Sequence, residues 1–103
     1  MSNRKNRTSI FWGFTFQPDK ELDFHNLENF TKYDIEKTLK EFIEDSYVAG
    51  LSRLLVITGK GKVIKPLVKK LLSQNKYVER FKTAGYYNGQ EGAFEVFLIN
   101  DDL

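Results

Sequence analysis

The sequence predicts an α/β two-layer sandwich with the element order β-α-β-α-β-β, in which two helices pack on a mixed four-stranded sheet. Two observations support this fold class. Apolar residues follow helical spacing at residues 31–50 and 63–74, and these stretches alternate with short extended runs. The runs at residues 77–83 and 93–99 have no helix between them, which indicates an antiparallel hairpin, whereas the first β-α-β unit should be a parallel, right-handed crossover. An extra extended segment, residues 10–16, precedes the first strand.

Length and composition favour one folded domain over residues 10–103, preceded by a mobile basic tail at residues 1–9. The chain has 103 residues, of which 41% are hydrophobic and 15% aromatic, enough to fill one modest core. It has no cysteine, which excludes disulfides, thiol nucleophiles and thiolate zinc sites. No signal peptide or membrane-spanning stretch is visible. We therefore expect a cytoplasmic protein that is monomeric and has no membrane partner.

The net charge of +2 conceals a strong asymmetry along the chain. Residues 53–82 contain nine Lys or Arg against one acid, while residues 28–45 contain six acids against three lysines. A concentrated positive surface attracts the phosphate backbone of nucleic acids, so the basic half predicts a nucleic-acid partner. The alternative is that these lysines form an ordinary solvated surface.

The segment at residues 10–16, IFWGFTF, alternates large apolar residues with smaller ones. This pattern is typical of an extended segment packed on the domain. The aromatic residues, which include Trp12, also suit a platform on which bases stack. Of the two interpretations we favour packing.

The next extended run, residues 21–26, contains the one histidine of the chain. In a strand, Leu22 and Phe24 face one side, and Asp23 and His25 face the other. A carboxylate beside an imidazole can fix the tautomer of the ring and raise its basicity, or both groups can ligate a divalent metal. Asp23 and His25 are therefore candidate catalytic and metal-binding residues, although a bare pair of this kind is more often structural.

Residues 31–50 form the clearest predicted helix. Thr31 can cap its start with Asp34 three residues on, and Gly50 can end it. The opposite face is charged, so we assign this helix to packing. The apolar stripe that should face the core consists of Ile35, Leu39, Phe42 and Ile43.

The central strand, residues 52–58, leads through a glycine loop into a basic helix at residues 63–74. Its unbroken apolar run suits a strand covered on both faces. Glycines let the backbone turn sharply and approach a ligand, and the start of the next helix carries a partial positive charge, so this junction can hold phosphate. It matches neither a nucleotide P-loop nor a dinucleotide fingerprint, and many such turns bind nothing. The candidate phosphate-binding residues are Gly59, Gly61, Lys62, Lys65 and Lys69.

Residues 85–92, GYYNGQEG, form the predicted loop between the last two strands. The dipeptide of Asn88 and Gly89 is a strong turn signal. Tyr86 and Tyr87 on this loop can stack on an unpaired base, or they can be ordinary surface residues.

Three motifs in this order resemble the Smr domain, the small MutS-related domain found alone or fused to larger nucleic-acid proteins. The family's L-D-x-H motif appears at residues 22–25, its T-G-x-G motif at residues 58–61 and its late G-x-G-A segment at residues 88–93. Order and spacing make the combination more specific than any single motif. The chain departs from the family pattern at Asn26, Asn88 and Phe94, where two glycines and a threonine are usual.

The resemblance implies that the chain acts on nucleic acid. Some members nick or cleave DNA or RNA, sometimes with a divalent metal such as Mg²⁺ or Mn²⁺, and others bind without clear catalysis. Transferred to this chain, it makes Asp23, His25, Thr58 and Lys60 the candidate catalytic residues, with His25 as acid or base and Lys60 on the phosphate. Three interpretations stay open: an endonuclease, a nucleic-acid or ribosome-binding module that uses the same basic surface, and an interaction domain whose motif residues only secure the fold.

Overall fold

A parallel pair of strands forms the first half of the sheet. The structure, a computed structural model, describes residues 17–24, 31–59, 61–84 and 92–99. The strand β1 (Lys20–Asp23) pairs in parallel with β2 (Arg53–Ile57), and the helix α1 (Lys32–Val48) lies between them in sequence. The parallel pairing predicted for the first β-α-β unit is confirmed.

The second half of the sheet is antiparallel. The helix α2 (Ile64–Gln74) follows β2, and the strands β3 (Val78–Thr83) and β4 (Ala93–Leu98) pair with each other in antiparallel orientation. Because β4 also pairs antiparallel with β2, the described strands form a four-stranded sheet in the order β1-β2-β4-β3. The predicted element order and the mixed sheet are confirmed, and the last strand in sequence lies inside the sheet.

The ends of α1 are closed by the predicted residues. The Thr31 hydroxyl accepts a hydrogen bond from the Asp34 N–H at 3.1 Å, and the Asp34 carboxylate accepts one from the Thr31 N–H at 3.0 Å. At the other end Gly50 adopts a φ of +83°, and its N–H donates to the Tyr47 carbonyl at 3.0 Å. Glycine ends the helix in this way because it has no Cβ to clash in the left-handed region.

Both helices cover the same side of the sheet, here called the helix face. The predicted α1 stripe is buried there, as are Val68 and Leu72 of α2. Phe24 is fully buried and Leu22 packs against the same core, which confirms the inward side predicted for these two residues. The buried strand residues of the helix face are Leu54, Val56, Phe94, Val96 and Leu98.

The other side, here called the second face, carries the alternate residues of each strand. A register irregularity between Val78 and Arg80 allows both Val78 and Phe81 to pack on the core although they are three residues apart. It also aligns β3 with β4 so that Arg80 lies over the Phe97 ring. The second face therefore consists of Glu21, Asp23, Arg53, Leu55, Ile57, Arg80, Lys82, Ala93, Glu95 and Phe97.

Candidate functional site

The predicted motifs meet at one edge of the sheet, here called the rim: Asp23, Phe24, Thr58, Gly59 and Gly92. β1 and β2 are parallel, so their carboxyl ends lie together, and Asp23 is in register with Ile57. The Phe24 N–H continues the ladder by donating to the Ile57 carbonyl at 2.7 Å. Because β4 is antiparallel to β2, its amino end reaches the same edge. Asp23 and Thr58, one from each of the first two motifs, therefore lie at neighbouring strand ends.

The carbonyl of Gly92 holds the start of the glycine loop. It accepts hydrogen bonds from the Thr58 N–H at 2.8 Å and from the Gly59 N–H at 2.9 Å. Gly59 has a φ of +74°, a conformation that side chains rarely adopt. A Cβ added at Gly92 would lie 3.5 Å from the Cα of Gly59, so the two backbones pass in van der Waals contact. The late motif therefore fixes the shape of the loop that follows β2.

Thr58 is directed at the backbone of this loop. Its side chain is buried, and its hydroxyl donates to the Gly59 carbonyl at 2.7 Å, with a longer approach of 3.4 Å to the Gly92 carbonyl. The hydroxyl proton and the Gly59 N–H are therefore both engaged within the protein. The hydrogen of the Gly59 amide thus already has a carbonyl partner, so the prediction that Gly59 binds phosphate depends on the close approach of its backbone and not on this N–H.

The start of α2 brings cations to the loop. Lys62 is exposed and lies two residues before the helix, Lys65 is half-buried in its first turn, and Lys69 is exposed one turn later. Residues four apart in a helix share one side, so Lys65 and Lys69 extend the basic surface along α2. Gly61, also predicted to bind phosphate, is exposed.

The charges around the start of α2 are opposite in sign to those that stabilise the start of a helix. The first turn of α2 has no acidic residue, and its cap position is held by Val63, whose side chain has no hydrogen-bonding atom. The amino end of a helix carries a partial positive charge that favours acids and disfavours lysines. The start of α1, by contrast, has Asp34 and a complete capping box. The charges at the start of α2 are therefore suited to an anion from outside the chain.

Asp23 is half-buried at the end of β1 and takes part in interactions within the chain. Its side chain lies on the second face, because Leu22 before it packs on the helix face. Within residues 17–24, 31–59, 61–84 and 92–99, no group of three or more His, Cys, Asp or Glu side chains is placed to hold a metal ion. Of the two predicted metal-binding residues, the structure describes Asp23, an oxygen donor, whereas His25 lies outside these ranges.

Four predicted site residues lie outside the described residues: His25, Lys60, Tyr86 and Tyr87. The described residues on either side of positions 85–91 lie at the rim end of the sheet, where the Ala84 N–H donates to the Ala93 carbonyl at 2.9 Å. Sequence reasoning did not single out Gly92 as a site residue. Its position in the late motif, directly before a strand, was the available signal.

A family comparison agrees with these motifs and their arrangement. The model of the Smr domain matches residues 22–99, most of the chain. The chain belongs to the Smr domain family. Asp23, the glycine loop and Gly92 therefore lie within the part of the chain that the Smr domain model matches.

Two relatives of this Smr domain are named Endonuclease MutS2. One, from Caldanaerobacter subterraneus subsp. tengcongensis, is 34% identical over 61 residues, which are 58% of this chain and 8% of the relative. The other, from Caldicellulosiruptor bescii, is 27% identical over 82 residues, which are 78% of this chain and 10% of the relative. The match thus spans about a tenth of these proteins or less.

Two solved structures share the Smr fold with this chain. The crystal structure of the Smr domain of Thermus thermophilus MutS2 has a TM-score of 0.69 at 28% identity and covers 78% of this chain and 98% of that one. The crystal structure of YdaL, a stand-alone small MutS-related protein from Escherichia coli, has a TM-score of 0.66 at 26% identity and covers 76% of this chain and 63% of that one. Separately, neither described helix is long and apolar enough to cross a membrane.

Proposed function

We propose that this Smr domain binds nucleic acid at the rim and cleaves phosphodiester bonds of DNA or RNA there. The observation that carries the proposal is the set of lysines at the start of α2, whose first turn has no acidic residue, beside the loop held by Gly92. The relatives named Endonuclease MutS2 support the same assignment. A phosphate group would supply the negative charge that this helix start lacks.

In the proposed mechanism, cations hold the substrate backbone. Lys62 and Lys65 with the amino end of α2 attract the phosphate, and Lys60 approaches the oxygen on which charge develops. Lys69, one turn along α2, and Tyr86 and Tyr87 would contact neighbouring nucleotides. Binding of this kind reads the backbone, so we expect weak sequence preference.

Proton transfer is assigned to His25, with Asp23 as its positioning residue. An imidazole with a pKa near neutrality can take a proton from the nucleophile or give one to the leaving oxygen. A carboxylate beside it stabilises the protonated ring. If the substrate is RNA, its own 2′-hydroxyl can be the nucleophile.

Thr58 acts on the loop in this proposal. Its hydroxyl donates to the Gly59 carbonyl, and its N–H shares the Gly92 carbonyl with Gly59. These bonds hold the loop in its observed conformation, in which Gly59 has a φ of +74°. We therefore assign Thr58 to positioning the loop beside the phosphate.

A divalent metal is compatible with the donors at the rim. The carboxylate of Asp23 is an oxygen ligand of the kind that Mg²⁺ and Mn²⁺ prefer, and Mg²⁺ commonly uses one or two carboxylates together with water and substrate phosphate. Were Asp23 and His25 instead to hold the metal together, it would polarise the phosphate and lower the pKa of a water ligand, and His25 would be a ligand in place of the proton-transfer group. The chain's own contribution is to hold Asp23 at the end of β1.

The test is a cleavage assay on labelled single- and double-stranded DNA and RNA, with Mg²⁺, Mn²⁺ or EDTA, comparing the native chain with His25→Ala. We expect cleavage by the native chain, loss of cleavage in His25→Ala and nearly unchanged binding, because His25 transfers a proton and the lysines bind. Activity in EDTA decides whether a metal is needed.

The control is the variant Lys40→Ala, which removes an exposed charge from α1 and should leave cleavage unchanged. Equal cleavage by His25→Ala that melts like the native chain would contradict the assigned role of His25 and indicate a contaminating nuclease. Melting of His25→Ala well below the native chain would instead support a structural role for the histidine.

The second candidate is a module that binds nucleic acid without cleaving it. The observation that favours it is the intramolecular pairing of the Thr58 hydroxyl and the Gly59 N–H, which leaves fewer groups for chemistry at the described part of the rim. This candidate predicts no cleavage of any of the four substrates, together with binding that weakens steeply as salt is raised.

A further inference from the structure

Lys65 and Lys69, two of the lysines proposed to bind nucleic acid, lie on one side of α2. Val68 faces the sheet, where it is fully buried, and Leu71 and Gln74 line the groove between α1 and α2. A helix turns by about 100° per residue, which places Leu71 and Gln74 to one side of Val68 and both lysines to the other. Lys65 and Lys69 are therefore directed away from α1.

The side of α2 that carries these lysines overlooks an edge of the sheet. α2 contacts β3 and α1 contacts β1, and these are the two outer strands in the order β1-β2-β4-β3. At the rim end of β3, Thr83 is exposed, and it lies on the helix face because it is in register with Phe94. The surface that consists of Lys65, Lys69 and Thr83 is here called the β3 flank.

The charges of the β3 flank differ from those of the groove on the other side of α2. Glu36 and Glu44 of α1 line the groove together with Lys40 and Lys76, so charges of both signs meet there and balance. α2 itself contains no acidic residue. A phosphate backbone that lies along the groove would meet two carboxylates, whereas one that lies along the β3 flank would meet lysines.

The flank lysines are also available to a ligand. The ion pairs among the described residues lie within α1 and between β3 and β4, so no described carboxylate holds Lys65 or Lys69. The acid of β3, Glu79, lies near the end of the strand opposite Thr83. The β3 flank is therefore a cationic surface that begins at the rim.

We propose that a nucleic acid bound at the rim continues along the β3 flank, so that Lys69 contacts a phosphate beyond the one at the start of α2. The inference rests on the proposed function and adds the direction in which the bound strand leaves the rim. Lys65 and Lys69 are one helical turn apart, a rise of about 6 Å, and each strand of a duplex carries a phosphate about every 3.4 Å along its axis. One turn of α2 thus spans about two nucleotide steps, and the ligand is a polynucleotide and not a single nucleotide.

Two adjacent lysines of α2 supply a matched pair of variants. Lys69 belongs to the β3 flank, whereas Lys70 is exposed and turned by about 100° from it, further from the sheet. Lys69→Ala and Lys70→Ala each remove one positive charge from the same turn. We expect Lys69→Ala to weaken binding of labelled DNA or RNA oligonucleotides and to reduce the slope of log binding constant against log salt by about 1. Lys70→Ala should change neither the binding constant nor the slope.

Each other result has a distinct meaning. Equal changes in both variants would overturn the proposal, because binding would then respond to the total charge of α2. A change in Lys70→Ala alone would overturn it in favour of the outer side of the helix. No change in either variant, together with weaker binding by Lys62→Ala, would confine the nucleic acid to the rim and leave the proposed function standing. Absence of binding by the native chain would instead overturn the proposed function and this inference with it.

Crosslinking tests the same path without a change of charge. The chain has no cysteine, so a photoactivatable crosslinker can be attached at single sites. Thr83→Cys places it on the β3 flank, and Gln74→Cys, at an exposed position that lines the groove, is the matched control. We expect a labelled oligonucleotide to crosslink at position 83 and not at position 74. Crosslinking at position 74 alone would overturn the proposal, and melting curves verify that each variant is folded.

Discussion

Gly59 is the residue on which the shape of the rim depends most directly. It combines a φ of +74° with an N–H that donates to Gly92. Only glycine adopts this backbone region without a steric penalty from Cβ. The T-G-x-G motif is therefore explained at Gly59 by backbone conformation.

Alanine substitutions at the two loop glycines should separate the cost of a left-handed backbone conformation from the steric cost of an added Cβ. Gly59→Ala should lower the free energy of unfolding by about 1–2 kcal/mol, the cost of a left-handed conformation with a Cβ. Gly61→Ala is the matched control, because its φ is not in that region and an added Cβ meets no atom within 4 Å. The control should be neutral or stabilising by up to about 1 kcal/mol, since alanine restricts the unfolded chain. Chemical denaturation of both variants measures this, and equal losses would contradict the explanation.

The sequence predicted the residue types of the rim but not their hydrogen bonds. Gly59 was a candidate because glycine loops before helices often hold phosphate, and Thr58 was one because the resemblance to the Smr domain made it a candidate catalytic residue. In the structure, the Gly59 N–H and the Thr58 hydroxyl both have partners inside the chain. The Thr58 and Gly92 positions are 34 apart in sequence, so no local pattern reveals their pairing.

The two helices begin differently, and the difference distinguishes a helix start built for stability from one that can attract a ligand. α1 starts with Thr31 and Asp34 in a reciprocal capping box. α2 is preceded by Val63 at its cap position, with lysines around its first turn and no acid within it. The first arrangement stabilises a helix, whereas the second sacrifices that stabilisation and leaves the helix end able to attract an anion.

The capping box predicts a pH dependence of stability. Hydrogen bonds from the backbone and side chain of Thr31 lower the pKa of the Asp34 carboxyl in the folded chain. Because the folded pKa is below the unfolded one, the stabilisation is complete above about pH 3.9 and is lost as the pH falls through the folded pKa. Asp34→Asn should therefore be less stable than the native chain near neutral pH, and the difference should shrink in acid.

Urea denaturation across this pH range measures the effect. Asp45→Asn is the control, because it makes the same change near the other end of α1, where the residue is exposed. A stability difference for Asp34→Asn that stays constant down to strongly acidic pH would exclude the carboxylate as the cause.

Apart from the end of the first strand, element boundaries were predictable from sequence to within two residues. The first strand ends at Asp23, three residues before its predicted end. Ser46 is fully buried in α1, where sequence reasoning placed no polar residue, and its hydroxyl donates to the Phe42 carbonyl at 2.7 Å. A serine that satisfies its hydroxyl on the preceding turn can be buried at low cost, which a hydrophobic pattern does not reveal.

At the scale of the whole molecule, the topology gathers distant segments at one edge. Both parallel strand ends, the amino end of β4 and the starts of both helices lie there. The segment that carries Lys62 and Lys65 then begins after the strand end that pairs with Asp23, although these lysines are about forty positions from Asp23 in sequence. Ligands of open α/β sheets bind at such edges, outside the carboxyl ends of the strands.

This arrangement predicts a salt dependence of nucleic-acid binding. The logarithm of the binding constant falls linearly with the logarithm of salt concentration, and each lost phosphate contact should reduce the slope by about 1. We therefore expect Lys62→Ala and Lys65→Ala each to weaken binding of a labelled oligonucleotide and to flatten this slope. Lys40→Ala, which removes an equal charge from an exposed position of α1, should change neither the binding constant nor the slope. An equal effect of Lys40→Ala would indicate attraction to net charge alone.

The sequence by itself determined the elements, the caps of α1, the inward faces of the helices and the motifs of the family, because each depends on residues within a few positions of one another. Tertiary structure alone decided that β4 lies between β2 and β3, that the Gly92 carbonyl holds the glycine loop and that Glu95 and Leu55 are buried on the second face. These features depend on pairings between strands far apart in the chain. Their energies come from backbone hydrogen bonds and burial that exist only once the sheet has assembled.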